Sequence, residues 1–169
     1  MNIRIAGTVN DSIVDGPGLR YTIFVQGCPH NCPGCHNPQT HDFNSGTLAD
    51  INDVCRWAIS NPLLSGVTFS GGEPLCQAEG LYRLGLMIKE KTDYDIITFT
   101  GYTFEYLLKN ADKDNFYMEL LSITDYLIDG RFEEDKKSYL LQFRGSSNQR
   151  ILDCRQSLSK KKAVEIEFK

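Results

Sequence analysis

The sequence predicts an α/β fold on a mainly parallel sheet. Short runs of β-branched and aromatic residues alternate with segments whose apolar residues recur at helical spacing, and each run ends in a turn rich in glycine, cysteine or aspartate. Such alternation builds right-handed strand–helix–strand units, whose ligands gather at the C-terminal ends of the strands. The last third breaks the alternation and reads as strand, turn and returning strand, a C-terminal hairpin.

Taken in order, Ile3 and Ile5 alternate with polar neighbours, Asp15-Gly16-Pro17-Gly18 supplies a turn, and Tyr21 to Val25 is a run buried on both faces. A cysteine-rich loop follows directly. Thr47 with Asp50 three residues on resembles a capping box, and Leu48, Ile51, Val54, Cys55, Ala58 and Ile59 recur at helical spacing until Asn61-Pro62 stops them. On that pattern Cys55 is a core residue. Gly66 to Ser70 is the second buried run; it passes into Gly71-Gly72-Glu73-Pro74 and then a helix with Leu81, Leu84 and Ile88 on its apolar side. The third run, Asp95 to Phe99, ends in Thr100-Gly101-Tyr102-Thr103, before helical stretches carrying Phe104, Leu107 and Leu108, then Phe116, Leu120 and Leu121. The fourth, Tyr126 to Ile128, ends at Asp129-Gly130-Arg131. The four turns fall on one rim. Beyond them, Glu133 to Ser138 reads as an exposed charged loop, Tyr139 to Phe143 as a strand, Gly145 to Asn148 as its turn and Arg150 to Asp153 as the returning strand. Val164, Ile166 and Phe168 alternate as an edge or hairpin strand.

With 169 residues, 41% of them hydrophobic, the chain reads as one domain over residues 1–169. A domain of this size buries about 70% of its unfolded surface without help from metals or disulfides. Any metal it holds therefore serves function first. The net charge is −4 and the basic run is the short Lys160-Lys161-Lys162, which argues against nucleic acid as a partner. The N-terminus is polar where a signal peptide is apolar, and no run approaches the ~18 apolar residues of a membrane span. The expected location is the cytoplasm, where thiols stay reduced.

Half of the six cysteines, Cys28, Cys32 and Cys35, lie at C-x3-C-x2-C spacing in the loop after the first buried run. Thiolates are soft anionic ligands suited to iron–sulfur clusters and zinc, and the intervening Pro and Gly let the chain curl round a centre. Closed sites take four protein ligands, so a group of three points to a centre with an open position. Two other readings stand beside it: a zinc knuckle completed by His30, His36, His41 or a distant Cys, and a disulfide framework. The Gly71-Gly72-Glu73 turn is either a tight connection or a place where a ligand reaches backbone groups, with Glu73 offering a carboxylate to an ammonium group.

The CPHNCPGC loop after one buried strand, with GGEP after the next, resembles the radical S-adenosylmethionine superfamily, and the DGPGLR and CHNPQT segments resemble its glycyl-radical-enzyme activases. The closing IDGRFEED and FRGSSNQRILD segments are similar to the activases that serve anaerobic ribonucleoside-triphosphate reductase, and the likeness covers nearly the whole chain. Against the usual six strand–helix units of the superfamily the chain is short, so the resemblance implies a truncated, open partial barrel.

It further implies that Cys28, Cys32 and Cys35 hold three irons of a [4Fe-4S] cluster, with S-adenosylmethionine chelating the fourth. Cys55, Cys76 and Cys154 stay outside this set. Gly71, Gly72 and Glu73 would line the methionine end of the cofactor, and Asp129 and Arg131 would stand near it, Arg131 toward its carboxylate. The superfamily often has an aromatic residue just before the third cysteine, near adenine; this chain has Gly34 there, leaving His36, after Cys35, to supply a ring. The implied reaction is reductive cleavage of S-adenosylmethionine, with an electron from a flavodoxin- or ferredoxin-like donor. The resulting 5′-deoxyadenosyl radical takes hydrogen from a glycine of the reductase. No catalytic side chain beyond cluster and cofactor is expected. Alternatives are an activase of formate-lyase type, a radical enzyme acting on a small molecule and a non-catalytic metal-binding module.

Overall fold

A computed structural model describes residues 1–168. Its seven strands form one sheet in the order β3-β1-β2-β4-β5-β6-β7. The centre is parallel: β2 (Arg20–Val25), β4 (Gly66–Gly71), β5 (Asp95–Phe99) and β6 (Tyr126–Asp129) run the same way. These are the four runs read from the sequence. Antiparallel strands flank them, β1 (Asn2–Ser12) and β3 (Thr47–Asp50) on one side and β7 (Arg150–Asp153) on the other. The sheet stays open, with β3 and β7 as its edges.

The helices α1 (Ile51–Ile59), α2 (Ala78–Lys91), α3 (Phe104–Asn110), α4 (Tyr117–Ser122) and α5 (Cys154–Lys160) contribute to one apolar cluster with alternate strand residues. Val54, Leu81, Leu84, Ile88, Leu107 and Leu120 meet Ile23, Val25, Val67, Phe69, Ile96 and Leu127, all fully buried. The intervening residues form a smaller second cluster, Ile97, Ile128 and Ile151, covered by Phe143, Ile166 and Phe168. The period-2 alternation of strands thus divides the core into two parts. At the N-terminal ends of the parallel strands the fully buried Arg20 bonds Thr68 at 2.8 Å, the Val67 carbonyl at 2.9 Å and Asp95 at 2.6 Å. One guanidinium fastens β2, β4 and β5.

Three local readings are corrected. Thr47 to Asp50 is a strand that pairs with Asn2 to Ile5, which leaves Leu48 exposed; Asp50, accepting from the Asn52 N–H, is the real cap of α1. Tyr139 to Phe143 forms no strand, and the C-terminal antiparallel pair is β6 with β7. The stretch around it carries an isolated bridge between Lys137 and Ser146, with the Ser138 N–H on the Gly145 carbonyl and the Ser147 N–H on the Lys136 carbonyl, in place of a ladder. Val164 to Phe168 follows β7 through a single Leu152–Glu165 bridge and an Ile166 N–H to the Ile151 carbonyl, short of a full strand. Among the described residues no helix is long and apolar enough to cross a membrane.

Candidate functional site

Four loops meet at the C-terminal ends of the parallel strands. The first leaves β2 and is closed at its base by the Gly27 N–H on the Thr40 carbonyl, 2.7 Å, and the Cys28 N–H on the His41 carbonyl, 3.1 Å. Between these ties the chain turns tightly, with the Cys35 N–H on the Cys32 carbonyl at 3.2 Å. Cys28, Cys32 and Cys35 are free and half-exposed, whereas Cys55 and Cys154 are buried in the core. Burial, foremost, holds the Cys28 and Cys32 thiols above their ordinary range, with the neighbouring cysteines adding to it. Cys76 is exposed on the adjoining turn; local desolvation, then Glu73 and Cys28, push its thiol up to about 11.

The second loop is stitched to the first. The Gly72 N–H bonds the Val25 carbonyl and the Glu73 N–H bonds the Gly27 carbonyl, each at 2.8 Å. Gly71 has φ +97°, a left-handed conformation that favours glycine, and a Cβ on Gly72 would overlap the Gly27 carbonyl. The double glycine is therefore demanded by loop-to-loop packing as well as by any ligand. Glu73 is fully buried, and its Oε1 accepts from the Thr100 hydroxyl and the Gly101 N–H at 2.8 Å each and lies 2.6 Å from His30 Nε2. Its Oε2 accepts from the Leu75 N–H at 3.0 Å. The carboxylate joins three loops.

The third loop, Thr100 to Thr103, is joined to the fourth by the Gly130 N–H on the Tyr102 carbonyl, 3.0 Å. On the fourth, Asp129 and Arg131 differ in burial. Asp129 is buried; it caps α3 by accepting from the Phe104 N–H at 2.8 Å and pairs with Arg150 at 2.5 Å. Arg150 also grips Glu105 at 2.7 Å, which holds that carboxyl below its usual range. Arg131 is exposed, beside Cys32. The chain then turns back on the cysteine loop: the Glu134 side chain lies against Gly34, and Phe132 meets the exposed His36 ring, centroids 5.2 Å apart. Sequence reasoning missed the binding partners His30, Thr100 and Arg150. In the sequence His30 reads only as a possible metal ligand, and nothing local marks the other two.

The sequence model of the 4Fe-4S single cluster domain family matches residues 14–152. An anaerobic ribonucleoside-triphosphate reductase-activating protein of Escherichia coli K12 is 39% identical over 147 residues, covering 81% of this chain and 90% of its own. The proteins of the same name from Salmonella typhi, 37% identical with 81% and 90% covered, and phage T4, 36% identical with 82% and 86% covered, agree. The chain belongs to this family of activating proteins. A solved structure of QueE from Escherichia coli matches 61% of the chain and 54% of its own with a TM-score of 0.48 and 18% identity, too remote to assign anything. Among the described residues no three His, Cys, Asp or Glu side chains gather as a single ion would need. Three free, half-exposed thiols on one tied loop do fit the soft, anionic donor set of an iron–sulfur cluster.

Proposed function

We propose that the chain, acting as one domain in the cytoplasm, activates anaerobic ribonucleoside-triphosphate reductase by forming a glycyl radical on it. The observation that carries this reading is the fusion of the cysteine loop with the double-glycine loop, through Glu73 N–H to Gly27 and through His30 to Glu73. Cys28, Cys32 and Cys35 hold a [4Fe-4S] cluster, leaving one iron to S-adenosylmethionine. When bound and reduced by a flavodoxin- or ferredoxin-like donor, the cluster would supply the electron for reductive cleavage of S-adenosylmethionine, and the resulting 5′-deoxyadenosyl radical would take hydrogen from a glycine Cα of the reductase.

The chain's own residues position and shield. Half-exposed Gly71 and Gly72 present backbone to the methionine end, while Glu73 acts from beneath by fixing both loops. Arg131, exposed and within electrostatic reach of Cys32, is a cation for the cofactor carboxylate. His36, against Phe132, offers a ring beside the third cysteine, and Gly34 leaves the approach open. The raised Cys28 and Cys32 thiols are neutral at pH 7 without metal, so cluster loading releases protons. Anaerobic incubation of reconstituted protein with reductant, S-adenosylmethionine and the reductase should give a glycyl radical signal in electron paramagnetic resonance. Cofactor cleavage with no radical on the reductase would reject the assignment.

A further inference from the structure

The most exposed apolar residues of the rim are Tyr139 and Leu140, 86% and 95% accessible, side by side at the tip of the segment that fails to form a strand. The tip stands on a well-tied base. Gln149 Oε1 accepts from the Gly145 and Ser146 N–H groups at 2.9 and 3.1 Å, and its Nε2 donates to the Gly130 carbonyl at 3.0 Å. Asn148 Nδ2 reaches the Arg131 carbonyl at 2.7 Å, the Ser147 N–H the Lys136 carbonyl at 2.9 Å, and the Ser146 hydroxyl accepts from the Glu133 N–H at 3.1 Å. The RGSSNQ sequence thus supplies the knot at the foot of a projecting arm, whose foot touches the cysteine loop through Gly145 and Phe132 near His36 and through Glu134 at Gly34.

Between arm and cysteine loop lies an open groove of about 620 Å³, lined by Pro33, Phe132, Glu133, Glu134, Asp135 and Lys136. Three carboxylates against one ammonium make it acidic. We propose that this arm and groove are the docking surface for the reductase's glycine-bearing segment: an extended stretch with a basic side chain lies in the groove, and Tyr139 and Leu140 insert into an apolar pocket of the reductase. The inference rests on the functional reading above and adds which surface selects the partner. Geometry and charge favour this occupant. A segment in the groove passes the cysteine loop, where a radical would form, and a second copy of this chain would bring a like-charged acidic groove to the same place. Two side chains are far below the ~800 Å² per partner of a stable interface, but a Tyr on a pre-tied arm suits the anchor of a larger one.

The test uses the reconstituted protein with Tyr139→Ser and Leu140→Ser together, and a conservative control, Tyr139→Phe with Leu140→Met. Iron content and partner-free cleavage of S-adenosylmethionine should match wild type in both, because the tip touches neither loop of the site. Affinity for the reductase, by calorimetry without oxygen, should fall about tenfold or more in the Ser pair and recover in the control. Unchanged affinity in the Ser pair, an equal loss of partner-free cleavage, or a wild-type dimer that the Ser pair dissociates would each overturn the docking proposal. Wild-type protein that binds the reductase through this tip yet forms no glycyl radical would instead reject the functional reading.

Discussion

Four donors converge on the single buried carboxylate of Glu73, and they come from three of the rim loops. A side chain placed to receive a ligand would tolerate replacement until the ligand is added. One that joins loops would not. Glu73→Gln turns one acceptor oxygen into a donor facing N–H and O–H groups, so the metal-free protein should lose about 1–3 kcal/mol of stability. Urea unfolding of the metal-free variant checks this, and an unchanged midpoint would return Glu73 to the role of a cofactor ligand. The cysteines sort in the opposite way. Cys28→Ala, Cys32→Ala or Cys35→Ala should each lose the four-iron cluster, while Cys55→Ala, Cys76→Ala and Cys154→Ala should keep near-normal iron by chemical assay. Cys76 is the sharpest of these controls because it lies close to Cys28. Spacing alone marks Cys28, Cys32 and Cys35 as a candidate centre, and the resemblance adds the kind of centre. The Glu73 partners were not, since His30, Thr100 and Gly101 stand 43, 27 and 28 positions away in sequence and meet only when β2, β4 and β5 align.

Each element with a strong local pattern lies where the sequence put it: β2, β4, β5 and β6 as buried runs, α1 and α2 as amphipathic stretches. The misread stretches owe their state to distant partners. Thr47 to Asp50 is a strand because β1 offers an unpaired edge, and Tyr139 to Phe143 is not one because the Gln149 and Asn148 side chains take its neighbours' backbone groups instead. The helix α5 did carry a signal that went unread, Asp153 three residues before Gln156, and in the structure Asp153 accepts from both the backbone and side chain of Gln156. Arg20 acts at this scale too, binding three strands far from the rim. Arg20→Met should cost about 1–3 kcal/mol by leaving the buried Thr68 hydroxyl and Val67 carbonyl without their donor, while half-exposed Asp95 turns to water. Its iron content and cofactor cleavage per folded molecule should stay normal. A denaturation midpoint equal to wild type would show that the guanidinium contributes little to holding the sheet.

As a whole, the molecule is a sheet with an open edge beside a rim where four loops are knitted into one surface. A small substrate would find little to enclose it, whereas a loop of another protein can enter between the cysteine loop and the Tyr139 arm. That arrangement suits hydrogen abstraction from a partner's backbone. The most direct test labels the reductase with α-deuterated glycine, mixes it with reconstituted protein, reductant and S-adenosylmethionine without oxygen, and weighs the 5′-deoxyadenosine by mass spectrometry. The account predicts deuterium in that product together with a glycyl radical on the reductase; 5′-deoxyadenosine formed at the same rate with no deuterium would contradict it.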